Sequence, residues 1–176
     1  AAARDWAVER LRKLGFANVR IEPFTMPGWE RGEERAALTV PAPQRLAVTA
    51  LGNSGSTGPK GIEAEVAYFE TLDALRAAPE GSLRGKIAFV DHAMAPTQDG
   101  SSYGPFGAAR RQGPVLAGQK GAVALVIRSI GTDSHRNPHT GVATQPEGVK
   151  LIPSAAVSSP DADLIALFAR AGKPMR

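Results

Sequence analysis

The sequence predicts a strand-rich α+β domain, built as two sheets or a partly closed barrel with helices on its flank. Three observations carry that reading. From about Ala37 onward, short runs of strand length recur between glycines and prolines. Two of these runs, "KIAFVD" (86–91) and "AVALVIRS" (122–129), are almost continuously apolar, as strands covered on both faces are. Helical segments between and after them carry their own start and stop signals.

Taken in order, residues 1–14 predict a helix. Ala3, Trp6, Ala7, Leu11 and Leu14 recur at helical spacing, and Gly15 supplies the stop. "NVRIEPF" alternates Val19 and Ile21 with polar neighbours and predicts a half-buried strand; "TMPGWERGEER" is a turn-rich connector. "RLAVTAL" (45–51) predicts the first strand of the main domain. In "GIEAEVAYF" (61–69), Ile62, Ala64, Val66 and Tyr68 alternate with Glu63 and Glu65, which sends one face to the core and one to water. "TLDALRAAP" predicts a short helix capped by Thr71 and ended by Pro79. In "QGPVLAGQKGA", Pro114 is expected as the first helical residue and Gly121 just past the last. "KLIPSAAV" predicts a strand. "SSPDADLIALFARAG" predicts a closing helix capped by Ser159, begun by Pro160 and stopped by Gly172, with Asp161 and Asp163 at its positive end.

Composition narrows the classes of function. The 176 residues are 43% hydrophobic and 22% charged, which is ordinary for a globular domain. No apolar run approaches the roughly 18 residues needed to span a bilayer, and no targeting segment is expected in "AAARDWAVER". The absence of cysteine excludes disulfides, zinc ribbons and thiol catalysis. A net charge of +4 admits an acidic partner, yet the basic residues are mostly dispersed and aromatics make up only 6%, so nucleic acid is not expected as a ligand.

"SIGTDSHRNPHTG" (129–141) holds two of the three histidines, four residues apart. On a helix His135 and His139 would share a face and could bind zinc, but Pro138 and the surrounding turn formers argue for a loop, and no third ligand is in view. Three readings stay open: a metal site, a polar loop, and a loop presented to another domain's active site. Glu33 and Glu34 in "GEER" could pair as a base and a metal-bridging carboxylate, but read better as a solvated connector. "LGNSGSTGPKG" fails the spacing of a phosphate-binding loop, and no serine lies in a G-x-S-x-G elbow. His92 closes a strand and could act as a base or carry a phosphoryl group. No nucleophile, base and oxyanion donor assemble, so no catalytic residue and no metal ligand is assigned.

"LRGKIAFVDHA", "QGPVLAGQKGAVALVIRSI" and "LIPSAAVSSPDADLI" together resemble the protease-associated domain family. With "WERGEE", "LGNSGSTGPKGIEAEV" and "NPHTG" added, residues 4–172 resemble the insert of the carboxypeptidase Q-like zinc exopeptidases. The resemblance implies a protease-associated β-sandwich or open barrel of the swivelling β/β/α type over residues 37–172. Residues 1–36 would then be an edge piece of the peptidase domain. It also implies that the catalytic glutamate and the metal ligands, for two zinc ions, lie in a peptidase domain outside this segment. The H-x-D pair that would supply the aspartate between those ions is missing here. The implied task is to cover the active-site cleft and shape substrate access. Its own peptidase domain, a peptide substrate and a second copy are the expected partners, in a secreted or periplasmic protein. His139, supported by Thr140, is expected to face the cleft. Two other readings are a swivelling phosphohistidine domain carrying its phosphate on His92, and a stand-alone peptide-binding module.

Overall fold

The structure is a computed structural model that describes residues 1–176. The chain divides into two compact units, Ala1–Glu30 and Arg31–Arg176, a division ahead of the expected one at residue 36.

The first unit holds helix α1 (Ala2–Lys13), with Arg10, Arg12 and Lys13 in its last turn, where the helix dipole favours cations. None of its residues is buried. The strand expected in "NVRIEPF" does not form. Arg12 donates to the Val19 carbonyl, and Arg20 pairs with Glu22, but no second strand runs alongside to take the ladder bonds. Period-two patterning states which side would be covered; a strand also needs a neighbour to pair with.

The second unit is organised on a five-stranded sheet ordered β3-β7-β6-β5-β4, comprising β3 (Val48–Ala50), β4 (Val66–Phe69), β5 (Ile87–Val90), β6 (Ala124–Arg128) and β7 (Ser154–Val157). The strands β4, β5, β6 and β7 run parallel, and β3 closes one edge antiparallel to β7. A two-stranded antiparallel ribbon, β1 (Ala36–Leu38) with β2 (Gln44–Leu46), forms the second sheet. Helices α2 (Leu72–Ala77), α3 (Tyr103–Phe106), α4 (Ala108–Gln119) and α5 (Ser159–Arg170) complete the domain. The α+β expectation therefore holds.

Pleating sorts the strand residues into two cores. Ala88 and Val90, Leu125 and Ile127, and Ala156 face α2 and α4, where they meet Leu72, Leu75, Ala109 and Ala117. Phe89 and Val157, with Val126 and Tyr68, face the other way, toward Ala162 and Ile165 of α5 and Leu38 of the ribbon. Coverage on both faces is why these runs are apolar at nearly every position. It also explains "GIEAEVAYF": only Val66–Phe69 pairs as a strand, and all four of its residues are half-buried rather than alternating between core and water.

Three further expectations are corrected. "RLAVTAL" is two strands, because Ala47 leaves the ladder: its N–H goes to the Asp161 carboxylate at 2.7 Å and its carbonyl accepts from Ser158 N–H. The chain thereby passes from the ribbon to the main sheet. Helix α4 starts at Ala108, so Pro114 lies buried inside it, next to Gly113. A Cβ on Gly113 would come within 2.8 Å of Leu125 Cδ2, so the glycine is what lets helix and strand approach. Helix α5 is capped by Ser158, one residue before the expected Ser159: the Ser158 hydroxyl accepts from Asp161 N–H and donates to the Asp161 carboxylate at 2.8 Å. By contrast Thr71 caps α2 as expected, accepting from Ala74 N–H at 3.1 Å.

Candidate functional site

The parallel register aligns the carboxyl ends of β5, β6 and β7, the edge where open α/β sheets present their ligands. Adjacent residues there point to opposite faces, so each strand end serves two clusters.

On the α5 face lies a buried ion network. The pairing of Val90 with Ile127 sets Asp91 beside Arg128, and both are nearly inaccessible, at 5% and 8% exposure. Arg128 Nε donates to Asp91 Oδ1 at 2.6 Å, Nη2 to Asp163 Oδ1 at 2.7 Å, and Nη1 to the Ser159 carbonyl at 3.3 Å. Tyr68 completes the set, donating its hydroxyl to Asp91 Oδ2 at 2.6 Å. Burial alone lowers the Arg128 pKa, but the hydrogen bonds to Asp91 and Asp163 outweigh it and the net direction is up. A second buried carboxylate, Asp161, is held by Ala47 N–H, the Ser158 hydroxyl and Arg136. These groups satisfy one another and tie α5 to the sheet.

The Tyr68 phenol is pushed up to about 12, first by burial and then by its bond to the Asp91 carboxylate. A pKa raised by folding contributes stability that is complete below the ordinary value of 10.0 and lost as pH climbs toward 12. Tyr68→Phe is therefore expected to flatten the loss of stability across that window in urea titrations. Of the two tyrosines, one should ionise late in the tyrosinate absorbance of the folded protein.

On the α4 face the loop "NPHTG" is pinned at three points. Ser129, next to Arg128 but pointing the other way, accepts from His139 N–H at 2.7 Å. The Thr140 hydroxyl donates to the Ala50 carbonyl at 2.8 Å, and the Gly141 carbonyl accepts from Gly52 N–H at 2.9 Å. Ala50 lies on the outer edge of the sheet, and the connector covers it too: Glu34 Oε1 accepts its N–H at 2.7 Å and Arg31 donates to its carbonyl at 2.9 Å. Glu34 is thus a fixed edge cap, whereas Glu33 is exposed and pairs with Arg35, so the two glutamates do not act on a common centre.

So anchored, the exposed His139 ring meets the Tyr103 hydroxyl through Nε2 at 2.8 Å. Arg110 Nη1 donates to the same hydroxyl at 3.1 Å, and its guanidinium carbon lies 5.7 Å from the Tyr103 ring centre. A Cβ on Gly141 would sit 2.9 Å from the Arg110 guanidinium, so the guanidinium lies close against the loop at this glycine. Of the expected site residues, His139 is at the surface in this trio, and Thr140 serves the loop's anchorage. His135 pairs instead with Asp133 at 3.2 Å. His92 packs its ring on Phe106 at 4.4 Å, with Nδ1 buried and unpartnered.

Sequence reasoning did not select Tyr103, Arg110, Asp91 or Arg128. A usable signal existed for the last two: a charge closing an otherwise apolar strand run must find a buried partner. For Tyr103 and Arg110 no local signal exists. The residues present do not fit a zinc centre, since no three His, Asp or Glu side chains converge to hold a metal ion. The trio can hold a polar or anionic group by hydrogen bonds.

A mostly parallel five-stranded sheet with an antiparallel edge, a two-stranded ribbon and helices on its flank make this an α+β domain of the protease-associated type. No protein-family model matches the chain. Carboxypeptidase Q of Bos taurus is 36% identical over 165 residues, and that of Homo sapiens is 37% identical; each alignment covers 93% of this chain and 33% of the relative. A peptidase M28 precursor from Shewanella amazonensis SB2B superposes with a TM-score of 0.90 at 46% identity, covering 99% of this chain and 39% of that one. An aminopeptidase from Aneurinibacillus sp. strain AM-1, at 18% identity and a TM-score of 0.62, shares the fold. The chain resembles, over nearly its whole length, the protease-associated insert of a carboxypeptidase Q-like zinc exopeptidase. It spans about a third of the length of the carboxypeptidase Q relatives it matches.

Proposed function

We propose that this chain is the non-catalytic protease-associated portion of a co-catalytic zinc exopeptidase, where it covers the active-site cleft and shapes substrate access. In that reading the two zinc ions and the groups that activate water belong to the peptidase domain. That domain, the peptide substrate and a second copy of the protein are the partners, and the whole is secreted or periplasmic. No helix here is long and apolar enough to cross a membrane.

The observation that carries the reading is the anchored loop. Ser129, Ala50 and Gly52 fix the backbone of residues 139–141 while the His139 ring stays exposed. A sheet-anchored loop presenting an exposed polar side chain is how a covering domain can contribute to a pocket without taking part in the chemistry. His139 can donate to or accept from a peptide's polar terminus.

The test is His139→Ala in the intact peptidase. Losing one neutral hydrogen bond to substrate is worth about 2- to 10-fold in kcat/KM, expressed mainly in KM. Unchanged kcat and KM would remove His139 from the cleft.

A further inference from the structure

We propose that Arg110, Tyr103 and His139 form a carboxylate-binding subsite, which takes the free carboxylate of a short peptide; this rests on the covering role just proposed. Arg110 is a half-buried cation without an acidic partner. Its Nη1 donates to a neutral hydroxyl, and its Nε is buried with no acceptor. Elsewhere in the domain, buried or half-buried cations are neutralised: Arg128 by Asp91 and Asp163, Lys120 by Glu80, Lys86 by Glu65. A cation held unpaired is an open place for an anion, and a guanidinium fork matches a carboxylate best.

The neighbours are arranged to hold that cation in place. Gly141 lies close against it, with the position of a Cβ only 2.9 Å from the guanidinium carbon. The Tyr103 hydroxyl accepts from Arg110 and reaches His139 Nε2, so the phenol links guanidinium and imidazole into one polar row. With Tyr103 engaged at Nε2, His139 Nδ1 is the ring atom left for a ligand.

The carboxylate can come from the peptide's own terminus or from an acidic side chain, and substrates separate the two. In the intact peptidase, kcat/KM is measured for alanyl-alanine, for alanyl-alanine amide, and for alanyl-glutamate with only its α-carboxyl amidated. Wild type is expected to prefer a carboxylate-bearing dipeptide over the plain amide by 10-fold or more. Arg110→Ala should cut that preference about 10- to 100-fold, the range for a charge-assisted hydrogen bond. Tyr103→Phe, which keeps the ring and removes the link, should cut it less. Whichever substrate loses its advantage, the α-carboxylate or the glutamyl one, identifies the source. An acid-to-amide ratio left unchanged by Arg110→Ala overturns the subsite. If all three substrates slow equally, the covering role stands and the carboxylate assignment falls; His139→Ala judges the covering role independently.

Discussion

Arg128→Ala is expected to lower the free energy of unfolding by about 3–5 kcal/mol, because it leaves a carboxylate buried without its counter-charge. Asp91 is 5% exposed and receives Arg128 Nε at 2.6 Å, so the carboxylate has little solvent access with which to replace the guanidinium. The loss also frees the Ser159 carbonyl at the start of α5, which Arg128 Nη1 otherwise reaches at 3.3 Å. Urea unfolding should show the midpoint falling at an unchanged slope. Removing Asp91 as well should return part of the loss, since the penalty lies in the orphaned charge more than in the bond. Asp163 is a lesser partner, its side chain being 71% exposed and free to turn to solvent. A midpoint that does not move in Arg128→Ala would mean that Asp91 is not held in this buried state.

Phe89→Ala should cost about as much, roughly 3–5 kcal/mol, for a different reason. Phe89 is fully buried at the centre of the core between the sheet and α5, with Ala162, Ile165 and Val157 around it. It also stacks on Tyr68 at 5.9 Å between ring centres, so its removal loosens the residue that donates to Asp91. The neighbours sit on the sheet and on α5, elements already packed against each other, so they collapse only partly into the space and a cavity cost remains. Phe89→Leu, which keeps most of the volume, should cost well under half as much by the same urea measurement. Since Phe89 and Arg128 meet in one network through Tyr68 and Asp91, their combined loss should depart from the sum of the two.

Local signals were sufficient for many of the elements. Thr71 caps α2, and continuous apolar runs became β5 and β6 because both faces of those strands are covered. The glycine stops hold as well: Gly121 and Gly172 follow their helices at φ 92° and 63°. Failures occurred wherever the outcome depended on a distant partner. "NVRIEPF" has the right alternation but no strand beside it. Ala47 breaks the predicted strand because a carboxylate 114 residues away takes its N–H. Pro114 looks like a helix start in isolation, yet α4 begins at Ala108 and carries Pro114 buried in its interior.

The site divides along the same line. Residue types draw attention to "SIGTDSHRNPHTG", which holds two of the three histidines, and the family resemblance points to "NPHTG" within it. Pro138 and the turn formers around it argue against a helix for His135 and His139, and the absence of cysteine removes several chemistries outright. Only the folded chain brings Tyr103 to His139 across 36 positions, sets Arg110 under Gly141, and places Ser129 beneath the loop. Sequence periodicity records how each segment meets solvent and core, a property of a few neighbouring residues. Which segments become neighbours is decided by strand order, and that order minimises the free energy of the whole chain rather than of any stretch within it.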